Sequence, residues 1–480
     1  MKTHEKTFNI LALHGLILVL FLSALVIFAV GCSDKPNSPL ETANPKTGSQ
    51  LHGGTWKTVL IPSGSAYLLP PPPQKNSLQA MKELNLLRSL QLRKSLNVIN
   101  TIKYWDGLAI IRWNEIARHL VIKNSTNPPL ASRAYALLSV SQYDALIAAW
   151  YNKNIYLRES PSGSSSEPCY PCEQAVIASV SRRVLSYLFP KDADSINYWA
   201  GQELSSQLYT DKYFPSDISA GDTLGAIIAD VFIKYAMTDG HDAVWTGTVP
   251  HFDGCWFSSM NPPQNPLLPM WGKVRPWLMT SLPPMTPPPV FGSQAFKTAL
   301  AEVKNISDNR TAEQLRIANF WSDGAGTATP PGHWNEIAGN YIKTLNMSEL
   351  RTARALTLMN MAIMDAGICC WDAKYKFWYI RPSQVDTTIT TPVGLPNFPS
   401  YTSGHSSFSG AASTVLGYLF PERASEFNAM AEEAAVSRLY GGIHYRFDSD
   451  MGLENGRTVG NLAVQWGMSD GSDTWDFAKK

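Results

Sequence analysis

Over most of this 480-residue chain, apolar residues recur at helical spacing and almost nowhere alternate as a strand requires. The stretches Met81 to Ile99, Leu108 to Ile122, Ser132 to Trp150, Gln174 to Leu188, Asp194 to Leu208 and Asp222 to Thr238 carry this period. So do Ala312 to Ser322, Trp334 to Leu345, Arg351 to Ile380, Ser406 to Leu419 and Arg423 to Leu439. A chain whose apolar stripes follow 3.6 residues can bury them only helix against helix, so an all-α architecture is predicted. From 252 to 290 the period lapses, and prolines with Trp256, Trp271 and Trp277 replace it. This segment reads either as a rim packed near a site mouth or as a long connector with no part in chemistry.

Three short stretches near the C-terminus concentrate the polar chemistry: KYKFWYIRP (374–382), TSGH (402–405) and SRLYGGIHYRFD (437–448). Lys374, Arg381 and Arg438 supply fixed positive charge, Ser403 and the Gly404 amide neutral donors, and His405 and His444 groups able to move protons or bond covalently. The set suits a tetrahedral oxyanion such as phosphate or vanadate. Lys374 and Arg381 are expected on one helix face two turns apart, with Pro382 ending the helix. Gly441 and Gly442 should break any helix between Arg438 and His444, so that a loop delivers the two from different sides. If the chain is helical at 444–448, Asp448 can accept from one nitrogen of His444 and aim the other at the anion. Lys376, two residues from Lys374, should point to another face.

The order KxxxxxxRP, SGH, SRxxxxxHxxxD resembles the superfamily of type 2 phosphatidic acid phosphatases, bacterial acid phosphatases and vanadium haloperoxidases. Thr402 stands where that family usually has proline, and is expected to cap the helix that follows. Trp371, Phe398 and the run from FWSDG (320–324) to TPPGHWN (329–335) resemble the chloroperoxidase and bacterial iodoperoxidase branch. The resemblance implies two four-helix bundles forming one compact unit, with the active site in the C-terminal one. It implies vanadate as cofactor, bonded to His444 and held by Lys374, Arg381, Ser403, Gly404, His405 and Arg438. Hydrogen peroxide and a halide are then the substrates, iodide the easiest to oxidise, and hypohalous acid the product. Lys374 would polarise the bound peroxide, His405 would act as acid and base, Asp448 would fix His444, and Asp323 would pair with Arg438. Trp371 and Phe398 would wall the site with apolar surface that strengthens its charge interactions. Two other readings remain open: a metal-free acid phosphatase working through a phosphohistidine at His444, and a non-catalytic surface lipoprotein that binds anions or carbohydrate. The complete polar set counts against the second.

The chain opens with Lys2 and Lys6, an apolar run to Val30, and Ala29-Val30-Gly31-Cys32. This reads as a signal peptide (1–31) whose small residues before Cys32 resemble a bacterial lipobox, with a transmembrane anchor as the alternative. Either places the bulk of the protein outside the cytoplasm, and the first makes it a periplasmic or cell-surface lipoprotein held to a membrane through lipid at Cys32. Residues 32–75 are expected to form a disordered Ser- and Pro-rich tether. An N-terminal helical half (76–250), the connector (251–290) and a C-terminal helical half (291–480) follow. Without residues 1–31 the chain holds 38 basic and 38 acidic residues, a balance that argues against nucleic acid as partner. Cys169 and Cys172 would form a disulfide or stand as two loop cysteines, with Cys255, Cys369 and Cys370 leaving at least one thiol free.

His241, Asp242 and His251 read as loop-capping residues before pocket-lining ones, and His333 as turn-forming or rim. Asn305 and Asn309 have no compelling spacing. Glu432 and Glu433 read as a solvated helix face.

Overall fold

In the computed structural model, residues 50–472 are described, apart from 164, 166 and 325. The expected signal peptide, Cys32 and the first part of the tether lie outside the described residues. Among the described residues there are helices and one isolated antiparallel bridge, Cys255 with Tyr379, and no strand. The N-terminal half holds α1 (Leu78–Gln91), α2 (Leu96–Trp105), α3 (Ala109–Lys123), α4 (Pro128–Tyr156), α5 (Glu173–Leu188), α6 (Ala193–Gln207) and α7 (Pro215–Ala236). The C-terminal half holds α8 (Gln294–Asp308), α9 (Ala312–Phe320), α10 (Thr329–Leu345), α11 (Glu349–Phe377), α12 (Pro382–Val385), α13 (Gly404–Leu419), α14 (Ala424–Tyr440) and α15 (Arg446–Met468).

Helices α4 to α7 form one four-helix bundle and α11, α13, α14 and α15 the other, with α4 packed on α11 between them. Both central helices run 29 residues and both end on a left-handed residue, Leu157 and Trp378. Their starts are capped alike: Asn127 accepts from the Leu130 amide at 3.1 Å and Ser348 from the Arg351 amide at 3.3 Å. α11 is long and apolar enough to cross a membrane, yet it is buried in the protein interior. One core joins the halves, with Trp113, Trp150, Trp334 and Trp371 all buried in it.

The halves repeat each other. α5 and α13 each have 16 residues and are followed by matching short turns, Pro190–Asp192 and Pro421–Arg423. SYLFP (186–190) corresponds to GYLFP (417–421). Arg133 donates to Asp239 and to the Ala236 carbonyl; Arg354 donates to Asp470 and to the Gly467 carbonyl, both carbonyl bonds being 2.8 Å. The matched residues Asn114 and Asn335 bond each other at 2.7 Å, and Ser139 bonds its match Asn360 at 2.9 Å. Matched positions meeting each other mark an isologous, two-fold-like pairing of the halves.

Two departures from expectation follow from packing. Helices α8 and α15 lie outside the predicted segments. Gly452, Gly456 and Gly460 weaken the helical signal of α15, but a Cβ at Gly456 would stand 2.2 Å from the Ser407 carbonyl. Glycine there lets α15 lie against α13, at a cost in helix propensity that the contact offsets. Residues 50–75, predicted as disordered tether, are ordered. The amides of Val59, Leu60 and Ile61 donate to the buried Asp144 carboxylate at 2.8, 2.8 and 3.0 Å, and Trp56, Ile61 and Leu69 are buried. Composition suggested disorder, but a buried acceptor on α4 binds the segment down. The connector does the same on α11, with the Trp277 and Leu278 amides on Asp365 at 2.9 and 2.8 Å.

Candidate active site

Lys374 stands four residues before the left-handed cap of α11 and is fully buried. Its ammonium donates to the carbonyls of Pro399, Ser400 and Thr402 at 2.9, 3.0 and 2.5 Å. Burial, with Arg381 adding to it, pushes its pKa down to about 8. Arg381 is not on the same helix face, which corrects the expectation. α11 ends at Phe377, the chain turns out through Trp378, and the segment 379–381 runs extended, with the Ile380 amide on the Gly254 carbonyl. From there the Arg381 guanidinium donates to Phe398 and Ile443 carbonyls at 2.8 and 2.7 Å. Burial lowers its pKa to about 10, and that of Arg438 likewise.

Ser403 caps α13, accepting from the Ser406 amide at 3.4 Å; Thr402 does not, and instead offers its carbonyl to Lys374. The Gly404 and His405 amides occupy the first helical turn, where no intrahelical carbonyl is available and the helix dipole favours an anion. Arg438 comes from the last turn of α14 and donates to Ser437 Oγ and the Ala318 carbonyl at 2.8 and 2.9 Å. The Gly441–Gly442 break occurs as predicted: Gly442 has φ +70°, and a Cβ there would meet the Thr390 carbonyl at 2.3 Å.

His444 Nδ1 and Asp448 Oδ2 are 2.9 Å apart. The pair is not a helical i,i+4 contact, because α15 starts at Arg446 and Asp448 sits in its first turn. The same carboxylate oxygen accepts from the Tyr445 amide at 3.1 Å and from Ser400 Oγ at 2.5 Å. With Nδ1 engaged, Nε2 of His444 is the nitrogen left for the cavity. Ser400 escaped the sequence reading, since no motif marks it; its place just ahead of TSGH is the only signal. Burial raises the Asp448 pKa to about 6. It holds that of His444 well below 6.5, with Arg381, Lys374, His405 and Arg438 all adding to the fall. His405, Arg438 and His444 line one cavity together.

His405 is also held well below its usual pKa, by burial first and Arg438 next, against the carbonyls of Trp321 and Ser322. Its enclosed Nε2 has no protein partner. Asp323 forms its ion pair with His333, at 3.1 Å, rather than with Arg438, although its charge still favours the protonated guanidinium. His333 lies within α10 and stacks on Trp321 at 4.5 Å, so it is not a turn former. Glu433 is no bare solvated residue: it accepts from the Trp321 indole at 2.9 Å.

Trp371 and Phe398 stand 5.3 Å apart, and the Lys374 ammonium lies 4.9 Å from the Phe398 ring. With Phe408, Leu267, Leu395 and Ile443 they line a cavity of about 410 Å³ that reaches Gly404, His405, Arg438 and His444. Leu267 brings the connector to the rim. Lys376 lies by the Phe377 ring, His241 pairs with Asp239, and Asn305 and Asn309 bond each other on α8, all apart from these cavity-lining residues. The five described cysteines are free, so Cys169 and Cys172 are two loop cysteines.

Three buried cations share the interior with one engaged carboxylate, and the His405 ring and Gly404, in the first turn of α13, line the adjoining cavity. Such an imbalance is relieved by an anion with several acceptor oxygens, so these residues fit an oxyanion such as vanadate.

Residues 354–470 match the PAP2 superfamily. The chain is 24% identical over 400 residues to the vanadium chloroperoxidase of Curvularia inaequalis, a match covering 65% of this chain and 64% of that relative's length. It is similar to the crystal structure of the first bacterial vanadium-dependent iodoperoxidase, with a TM-score of 0.62 and 27% identity over 75% of this chain and 96% of that one. A holo-type bacterial vanadium-dependent chloroperoxidase shares the fold at a TM-score of 0.55 and 16% identity, over 72% and 92%. Residues 354–470 are thus a PAP2 superfamily domain, set in a chain with the vanadium haloperoxidase fold.

Proposed function

We propose that this chain is a vanadate-dependent haloperoxidase that oxidises a halide, iodide first, with hydrogen peroxide to hypohalous acid. The observation that carries the reading is the apolar wall of Trp371, Phe398 and Phe408 beside a buried cationic cage, which suits a soft halide better than a bulky phosphate ester. Similarity to proteins described as iodoperoxidase and chloroperoxidase supports it.

Lys374, Arg381, Arg438, Ser403 and the Gly404 amide would hold the oxygens of vanadate, and His444 would ligate it through Nε2. Bound vanadate supplies a Lewis-acid centre that activates peroxide without changing oxidation state. The protein's own groups do the rest. Asp448, steadied by Ser400 and the Tyr445 amide, keeps the His444 ring in one orientation and one tautomer. His405, its imidazole kept neutral by burial and by Arg438, can take a proton from incoming peroxide and return it to the departing oxygen. Lys374 keeps positive charge where oxygen is polarised, and the aromatic wall keeps water from weakening it.

The test is triiodide formation from iodide and peroxide after loading with orthovanadate, with vanadium counted per chain. Stoichiometric vanadium without triiodide sinks the proposal. Vanadate-inhibited hydrolysis of p-nitrophenyl phosphate in its place assigns the cage to phosphoester chemistry. We also propose that Cys32 is lipidated and the enzyme extracytoplasmic, supported by Lys2, Lys6, the apolar run to Val30 and the small residues before the cysteine. Mass spectrometry of the membrane-derived protein should find a diacylglyceryl-modified Cys32; an unmodified, unprocessed N-terminus would refute it.

A further inference from the structure

Helices α1 and α2 use only one side each for packing. In α1, Ala80 and Leu87 are buried, and Leu84 and Leu87 join Cys169, Phe214 and Tyr213 in a small cluster apart from the main core. Helical spacing puts Leu78, Met81, Lys82 and Asn85 on the opposite side, and all four are exposed. The turn after α1 presents Leu92, which is 90% exposed; among the described residues no large apolar side chain is more so. Leu96 follows at 71%, and with Asn100 and Lys103 it forms an exposed stripe of α2 away from the buried Trp105.

The charge of this segment is as one-sided as its packing. From Leu78 to Trp105 it holds five basic residues, Lys82, Arg88, Arg93, Lys94 and Lys103, and one acidic, in a chain that sets 40 basic against 39 acidic overall. All five are exposed, and among the described residues none pairs with a carboxylate; Lys94 reaches only the Gln91 side-chain oxygen, at 3.4 Å. The one acid, Glu83, is turned inward, accepting from Ser216 Oγ at 2.8 Å and lying 3.9 Å from Arg158. Asp106, just past α2, is taken by Lys212 at 2.8 Å.

Leucines left in water among unpaired cations add nothing to the fold, since the apolar surface stays hydrated and the charges repel one another. A nucleic acid would match the charge and leave the leucines wet; an apolar protein patch would cover the leucines and leave the cations unmatched. Anionic headgroups over an acyl layer satisfy both. We propose that α1, the 92–95 turn and α2 form a docking face for an anionic lipid bilayer, with Leu92 and Leu96 entering between headgroups and Arg88, Arg93 and Lys94 at the level of the lipid phosphates. The course of the chain agrees. Gly54 packs on the last turns of α4, where a Cβ would meet the Tyr151 amide nitrogen at 2.3 Å. Just past the same helix end, Arg158 and Glu159 hold Glu83 and Lys75. The segment preceding residue 50 therefore joins the protein at the end of α4 that carries α1.

This face requires neither haloperoxidase activity nor lipid at Cys32, and a local measurement separates it from any hold the N-terminus has on a membrane. Hydrogen exchange of the full chain is followed alone, with phosphatidylcholine vesicles, and with vesicles of phosphatidylcholine mixed with phosphatidylglycerol. Amides of residues 92–103 should exchange more slowly by about tenfold or more on the mixed vesicles, and at nearly the free rate on phosphatidylcholine alone. Leu92→Glu/Leu96→Glu and Arg93→Glu/Lys94→Glu should each restore the free rate with Tm unchanged; both pairs are exposed, and if one folds poorly the other still decides. Absence of protection on the mixed vesicles, equal protection on phosphatidylcholine, or protection that survives either pair of substitutions would overturn the proposal. Protection that appears without vesicles and grows with protein concentration would overturn it too, and assign the face to a second copy of the chain.

Discussion

At the ends of α4 and α11, Lys153 and Lys374 occupy one and the same backbone frame, with the indoles of Trp150 and Trp371 at 5.0 and 5.7 Å. One ammonium faces Glu173; the other shares its surroundings with Arg381 and Arg438. The buried Asp carboxylates match as well, but Asp217 pairs with the Arg158 guanidinium while Asp448 takes an imidazole and a serine hydroxyl. The frame therefore fixes where a ligand can sit, and a handful of side chains at the start of one helix and the end of another decide its charge. In the proposed reading His405, Arg438 and His444 would select an oxyanion, where the other half has Gln174, Gln207 and Tyr213.

The comparison breaks most visibly at the ligating position. His444→Ala should abolish vanadium binding and reduce triiodide formation by a factor of about 1,000 or more, as loss of a group no neighbour replaces does. Tyr213→Phe should leave both unchanged, since its half holds no vanadate in this reading.

The acid partners come next. Asp217→Asn should destabilise the fold by about 3–5 kcal/mol in denaturant unfolding, because it strips a buried partner from Arg158. Asp448→Asn should instead show itself as a roughly 10–100-fold loss of vanadate affinity, the usual cost of losing a group that orients a ligating histidine. Equal effects in the two assays would mean that the halves do not divide structure from chemistry as described.

A pH titration sharpens the charge difference. With Lys374 depressed to about 8, its ammonium is present below that pH and lost as pH rises through it. Sulfate, whose charge is constant over this range, should therefore bind the vanadate-free cage more weakly by up to about tenfold per pH unit above 8. Calorimetry from pH 6 to 10 measures this, and a flat profile would contradict it.

The smallest effect concerns glycine. At Gly456→Ala the new Cβ meets Ser407 backbone, and a loss of about 1–3 kcal/mol with reduced activity is expected as α15 moves off α13. At Gly201, in α6, nothing lies within 4 Å, so Gly201→Ala should stabilise by about 0.5–1 kcal/mol.

Much of this was legible in the chain. The helical period gave most of the bundle helices within a few residues, because capping and i to i+4 contacts are local. The three motifs hold Lys374, Arg381, Ser403, His405, Arg438 and His444, while Trp371 and Phe398 stand just outside them. The repeat was legible too, in SYLFP and GYLFP, but few identities mark it and it went unread. α15 was missed because Gly452, Gly456 and Gly460 lower helix propensity for the sake of a contact that only the partner helix explains.

What the sequence by itself determined, then, is the helical class and the basic character of the three C-terminal motifs, since these rest on residue type and short spacing. Tertiary structure alone decided that Arg381 reaches the cage from an extended segment, that Ser400 supports Asp448, that Asp323 turns to His333, and that residues 50–75 lie down on Asp144. Each is a pairing between groups far apart in the chain, or a choice among several partners of like chemistry. Such choices are settled by which buried donor or acceptor would otherwise go unsatisfied once the helices have packed.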